Sequence, residues 1–165
     1  MKKILIVAIA ALAVSGCVSF DGRGLAPGQA TESEVVAQMG PPADRIQLSD
    51  GDTMLYFPRQ PTGRMMFAAR MAPDGRLRSI TQLLTEQNLA NLVRGTTTRN
   101  EVRVILGPPW HTTRFDRQQR DVWQYNMISN IGDDSFLYVQ MSDDGVVREV
   151  MMLKDYNKEP GGSKD

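Results

Sequence analysis

One pattern occurs twice in this chain, 67 residues apart, and it restricts the possible folds more than any other feature. Gly28, Thr31, Glu34-Val35 and Gly40-Pro41-Pro42 return as Gly95, Thr98, Glu101-Val102 and Gly107-Pro108-Pro109. Asp74-Gly75 returns as Asp144-Gly145 at a separation of 70, so the second copy holds three more residues before that point. Self-similarity at a fixed period is the mark of a repeated supersecondary unit. At the constant offset Tyr56 stands opposite Trp123.

Each repeated residue has a local role. Thr31 with Glu34, and Thr98 with Glu101, have the spacing of a capping box. The Thr oxygen accepts from a backbone N–H three residues on, and the Glu reaches back to the Thr N–H. Val35 and Met39, or Val102, Ile105 and Leu106, then recur at helical spacing. Gly40 and Gly107 stand where a left-handed residue closes a helix, and the Pro pair after each prevents continuation.

Beyond the Pro pairs the period changes to two, the period of strands. Thr53–Phe57 and Asp121–Tyr125 read as strands, followed by Met65–Met71 and Phe136–Met141. Turns at Ala72–Gly75 and Ser142–Gly145 lead into last strands over Arg76–Leu83 and Val146–Leu153. Asp44–Leu48 and His111–Phe115 add a weaker strand at the front of each sheet. Thr85–Val93 has helical spacing and reads as a first helix of the second copy. The expected class is α+β: two tandem repeats of a helix, or helix pair, followed by a three- to four-stranded antiparallel sheet. Residues 27–84 form the first repeat, 85–154 the second, and 155–165 a disordered polar tail. A unit of about 60 residues buries little surface alone, so the two copies are expected to pack together.

The beginning of the chain has a different grammar. Met1-Lys2-Lys3 precedes an apolar run from Ile4 to Val14. That run is shorter than the roughly 20 residues a membrane span needs, and has the length of a signal-peptide core. Ser15-Gly16-Cys17 follows, and Cys17 is the chain's one cysteine. This segment resembles the bacterial lipobox. The resemblance implies a signal peptide over 1–16, cleavage between Gly16 and Cys17, a diacylglycerol on the Cys17 thiol, and an acyl chain such as palmitate on the new amino terminus. Val18, rather than Asp, follows the cysteine, which implies sorting to the outer membrane, facing the periplasm. Residues 17–26 then read as a lipidated tether, with Asp21-Gly22-Arg23-Gly24 as its flexible end.

The repeated string has a resemblance of its own. Gly95, Thr98, Glu101-Val102, Leu106-Gly107-Pro108-Pro109, Trp123-Gln124-Tyr125 and Asp144-Gly145 resemble the motif of the SmpA/OmlA (BamE-like) outer-membrane lipoproteins. The resemblance covers most of residues 25–153 as two tandem copies. It implies helices packed on a small antiparallel sheet, and a protein partner in the envelope, with the β-barrel assembly machinery as the family's association. The tandem arrangement is also similar in architecture to β-lactamase inhibitory protein, which implies the alternative of a protein that binds and inhibits or senses an envelope enzyme.

Composition narrows the chemistry. Lys+Arg and Asp+Glu both number 19, so there is no basic surplus for nucleic acid. One Cys and one His exclude the usual zinc site and an intramolecular disulfide. No metal and no cofactor are expected. His111 stands without an evident nucleophile, and no phosphate loop is present, so no enzymatic activity and no catalytic residue are expected. Asp133-Asp134 and Asp143-Asp144 read as turn residues, and the Met residues as core. The candidate partner-binding residues are Trp110, which follows the second helix stop, and Phe115 with Arg117. Phe115 lies among Arg114, Arg117 and Arg120, where interleaved Asp116 and Asp121 suggest a solvated loop.

Overall fold

The computed structural model describes residues 20–156. The signal peptide, the Gly16-Cys17 cleavage and lipidation site, and residues 157–165 of the tail lie outside the described residues.

A helix, α1 (Glu32–Met39), precedes β1 (Asp44–Gln47), β2 (Thr53–Pro58), β3 (Met66–Met71) and β4 (Leu77–Gln82). A short α2 (Glu86–Leu89) and α3 (Arg99–Leu106) precede β5 (His111–Phe115), β6 (Arg120–Ile128), β7 (Asp134–Ser142) and β8 (Val147–Lys154). The strands make two four-stranded sheets, β1-β2-β3-β4 and β5-β6-β7-β8, with every neighbour antiparallel. The expected α+β class with antiparallel sheets is therefore what the chain adopts.

Local chemistry explains both longer helices. Thr31 and Thr98 are N-caps with the full capping box, each Thr backbone N–H donating to Oε2 of the Glu at 2.7 Å. Gly40 and Gly107 end the helices, but not in the left-handed helical region. Their ψ values are −178° and −172° at φ of 88° and 79°. That combination of positive φ with extended ψ is almost confined to glycine, and it turns the chain straight into the next strand. The helix expected over Thr85–Val93 shortens to Glu86–Leu89, because the chain goes over to turns from Ala90.

The same tie holds the approach to each helix. Gly28 N–H donates to Leu77 O and Gly95 N–H to Val147 O, at 2.7 and 2.8 Å. Leu77 and Val147 donate back to Ala30 O and Thr97 O. Thr31 bridges to Arg76, and Thr98 to Val146. Both sheets carry a register shift before the same Met, between Arg70 and Met71 and between Gln140 and Met141.

Register corrects one expectation. Asp44 pairs with Tyr56, whereas His111, 67 residues on, pairs with Gln124. Tyr56 therefore corresponds to Gln124, and Trp123 to Leu55. One extra residue lies in the connection before β6, and with a side-chain period of two that slip exchanges the faces. Leu55 and Phe57, like Trp123 and Tyr125, then lie on the face toward the preceding helix.

The molecule is layered as α1, first sheet, α3, second sheet. Val35 and Met39 of α1 pack with Leu55, Phe57, Phe67, Ala69, Met71 and Leu77 on one face of the first sheet. Its other face, with Tyr56, Met66 and Ala68, joins one continuous core with Val102 and Leu106 of α3 and Trp123, Tyr125, Leu137, Val139, Met141 and Val147 of the second sheet. The first sheet is thus covered on both sides, and Leu55, Tyr56 and Phe57 are buried in succession. Arg103 of α3 makes a forked pair with Asp44 of β1 at 2.7 and 2.6 Å. Arg64, from the β2–β3 loop, pairs with Asp134 and Asp155 of the second unit.

Two segments read as unstructured are folded where they are described. In the tether, Leu25 N–H donates to Gly22 O, Gln38 Nε2 donates to Arg23 O, and Phe20 lies under the Arg59 guanidinium. At the start of the tail, Asp155 is buried and its N–H donates to Asp134 O.

Candidate functional site

The second sheet has a face that no element covers among the described residues. Cross-strand pairing sets its rows. Phe115 and Arg120 pair at one end, then Thr113, Val122 and Gln140, then Gln124, Tyr138 and Met151, and then Asn126, Phe136 and Leu153. Alternate residues of a strand share a face, so these oppose Trp123, Tyr125, Leu137 and Val139 on the core side. Thr113, Phe115, Val122, Gln124, Tyr138, Gln140, Met151 and Leu153 line a groove of about 330 Å³. Arg64 stands over the Phe136 ring at 5.8 Å and closes the far end.

The face is apolar where solvent reaches it. Phe115 and Leu153 are 45% and 48% exposed, while Val122 beneath them is buried. Contiguous exposed apolar surface of this kind marks interaction sites in soluble proteins. The polar members, Thr113, Gln124 and Gln140, are uncharged and can each donate and accept a hydrogen bond.

The charges divide across the sheet. Arg114 faces the core side and is held by Asp121 at 3.0 Å and Asp143 at 2.7 Å. These two carboxylates push its guanidinium's pKa up, Asp143 the more strongly. Asp121 also takes Arg99 at 2.5 Å, and these hydrogen bonds, from Arg99 and then Arg114, hold its pKa below the ordinary carboxylate value despite some burial. Arg117, in a short 3-10 turn over Asp116–Gln118, and Arg120 make no ion pair among the described residues. Arg120 pairs with Phe115 across the ladder, and Arg117 lies in the turn that joins them.

The three residues singled out from the sequence do not form one site. Phe115 and Arg117 belong to the open face. Trp110 is 46% exposed and lies at the other end of β5, about 17 Å of strand away. There it lines a separate depression between the two units with Ala43, Pro58, Gln60, Met66, Pro108 and Pro109. His111 is exposed on the edge strand, its ring tilted against Trp110 at 6.1 Å. Asp143 and Asp144 are turn residues as expected, but Asp134 is not: it opens β7 and pairs with Arg64, while Asp133 just before it pairs with Lys154 and Asp144 with Arg148. Met66, Met71, Met127 and Met141 are core, whereas Met65 and Met152 are exposed.

Tyr138, Gln140, Met151, Leu153, Val122 and Gln124 were not identified from the sequence. A signal was present: Phe136-Leu137-Tyr138-Val139 is apolar at both parities. That pattern belongs to a strand with two covered faces, yet β7 lies in the last layer.

Among the described residues, no group of three or more His, Cys, Asp or Glu could hold a metal ion. Among the same residues, no helix is long and apolar enough to cross a membrane. No model of a known protein family matches the chain, and no curated protein matches it. A solved structure, a DUF4309 family protein (YjgB) from Bacillus subtilis subsp. subtilis str. 168, is similar at 18% identity. The likeness covers 81% of this chain and 84% of that one, with a TM-score of 0.31, a value at which it carries no functional inference.

Proposed function

We propose that this chain is a lipid-anchored envelope protein that works by binding another protein rather than by catalysis. The carrying observation is Ser15-Gly16-Cys17 directly after the apolar run, with the chain's one cysteine at the position acylation requires. Acylated at Cys17 and carried to the outer membrane, it faces the periplasm and serves as an accessory factor in β-barrel assembly or envelope integrity. Several acyl chains, at about 0.8 kcal/mol per buried methylene, suffice for stable anchoring without help from a near-neutral surface. The two units are copies of one BamE-like module. The shared capping boxes, the paired Gly28 and Gly95 ties and the matched register shifts support that reading.

Growth with an alkyne-bearing palmitate analogue, followed by fractionation, tests the anchor. The wild-type chain is expected to take the label and to sediment with outer membrane. Cys17→Ala is expected to lose both properties. An unlabelled wild-type chain, or a labelled Cys17→Ala chain, defeats the proposal.

A further inference from the structure

Among the described residues, the layered order stops one layer short. α3 covers the back of the first sheet, and the corresponding back of the second sheet carries the open groove. We propose that this face binds an amphipathic α-helix of a partner protein, apolar along one stripe and acidic at the end that meets Arg117 and Arg120. This deepens the protein-binding reading above and rests on it.

The molecule contains its own template for the contact. Ile105 of α3, like Ile46 and Met54 of the first sheet, packs against the core cluster that holds Tyr56 and Met66, and Val104 and Ile105 line one depression with Ile46. Tyr56 Oη reaches Val104 O at 3.5 Å, and Arg103 takes Asp44 at the sheet edge. A helix laid by its apolar face into an apolar groove, with charge at the margin, is a common recognition mode. By register, Val122 stands where Met54 does, Gln124 where Tyr56 does, and Tyr138 where Ala68 does. The groove therefore keeps its apolar floor. Its margins differ: His111 stands where Asp44 does at one end, and at the other Arg120 pairs across the ladder with Phe115, with Arg117 in the turn between them and no ion pair to either arginine among the described residues. A matching helix brings carboxylates to the Arg117 and Arg120 end.

A second copy is the poorer occupant. Head-to-tail stacking would present α1 in the role of α3. At the positions of Val104 and Ile105, α1 carries Ala37 and Gln38, and Gln38 is already bonded to the backbone at Arg23. That surface lacks the apolar residue that seats α3.

The test uses a library of stapled helical peptides with randomised outward positions, selected on the purified full chain. Enrichment of an apolar i, i+3/i+4, i+7 stripe with Asp or Glu at one end is expected. Tyr138→Lys and Met151→Lys, each with an unchanged near-ultraviolet spectrum, are expected to weaken the selected peptides about tenfold or more. Arg117→Glu with Arg120→Glu is expected to weaken the acidic peptides and to be rescued by Glu→Lys in the peptide. Failure to enrich any helix overturns the inference, as does binding indifferent to Tyr138→Lys and Met151→Lys. So does a dimer in sedimentation that Met151→Lys dissolves, since it assigns the face to a second copy. None of these outcomes alters the palmitate labelling, so failure here is distinguishable from failure of the anchored reading.

Discussion

Gly107 and Gly40 share a backbone conformation but differ in surroundings. Both combine positive φ with extended ψ, so any side chain strains the backbone there, by about 1–3 kcal/mol. At Gly40 an added Cβ meets nothing within 4 Å, whereas at Gly107 it comes within 3.0 Å of Met66 and Tyr56. Gly107→Ala is therefore expected to destabilise more than Gly40→Ala in urea titrations, and equal losses would contradict the close approach. Ionisation gives a second residue-scale expectation. The Thr31 and Thr98 backbone N–H and hydroxyl bonds hold the pKa of Glu34 and Glu101 down, and Arg99 with Arg114 does so at Asp121. A carboxylate whose folded pKa lies below its unfolded value stabilises above the unfolded value, 3.8 for Asp and 4.5 for Glu. That contribution is lost as pH falls through the lower, folded pKa. Tm is expected to drop as pH goes below about 4.5, and Asp121→Asn is expected to flatten that limb. Tyr56 acts in the opposite sense. Burial, and then Asp44, push its pKa up to about 12, so its contribution is whole below 10.0 and lost as pH rises through 12.

At the scale of elements, α3 carries more than its eight residues suggest. It buries Val102 and Leu106 in the core that both sheets share, Ile105 packs against that core, and Arg103 pairs with Asp44 of the first sheet. Thr98→Ala removes its cap and is expected to cost about 1 kcal/mol, read as a lowered urea midpoint with unchanged slope. Because α3 serves two sheets, the same variant is expected to perturb the near-ultraviolet signals of Tyr56 and Trp123 together. A change confined to Trp123 would show that α3 belongs to the second unit alone. The helix boundaries were legible because their signals are local: a Thr, a Glu three residues on, a Gly and two Pro. Strand phase was not legible between β2 and β6. The constant offset matched Tyr56 with Trp123, and only the ladder shows Leu55 in that place.

For the whole molecule, the consequence is cooperativity. Tyr56, Met66 and Ala68 of the first unit share one buried cluster with Tyr125, Leu137 and Val139 of the second, so neither sheet closes its core alone. Unfolding is expected to be a single transition. Far-ultraviolet dichroism reports both units, whereas Trp110 and Trp123 report only the second, and the two curves are expected to coincide. Separate midpoints would mean that the shared core is not what holds the first sheet. By the same reasoning, a fragment ending at Leu84 is expected to expose Tyr56 and Met66 and to remain unfolded.

What the sequence determined by itself was everything written in neighbouring residues: the two capped helices, their glycine stops, the hairpin turns at Asp74-Gly75 and Asp144-Gly145, and the α+β class. Such signals act through bonds to residues three or four places away, and need no knowledge of the distant chain. The tertiary structure alone decided which sheet face is covered and by what. Alternation marks two faces without saying which neighbour arrives, and one extra residue in the connection before β6 reverses the assignment. It also holds Phe20 and Arg23, read as part of a flexible tether, and Asp155, read as the start of a disordered tail, through contacts with Arg59, Gln38 and Arg64. The open groove at Phe115, Tyr138 and Leu153 is likewise a property of stacking order: the last sheet of the layered array keeps an apolar face that no element among the described residues covers.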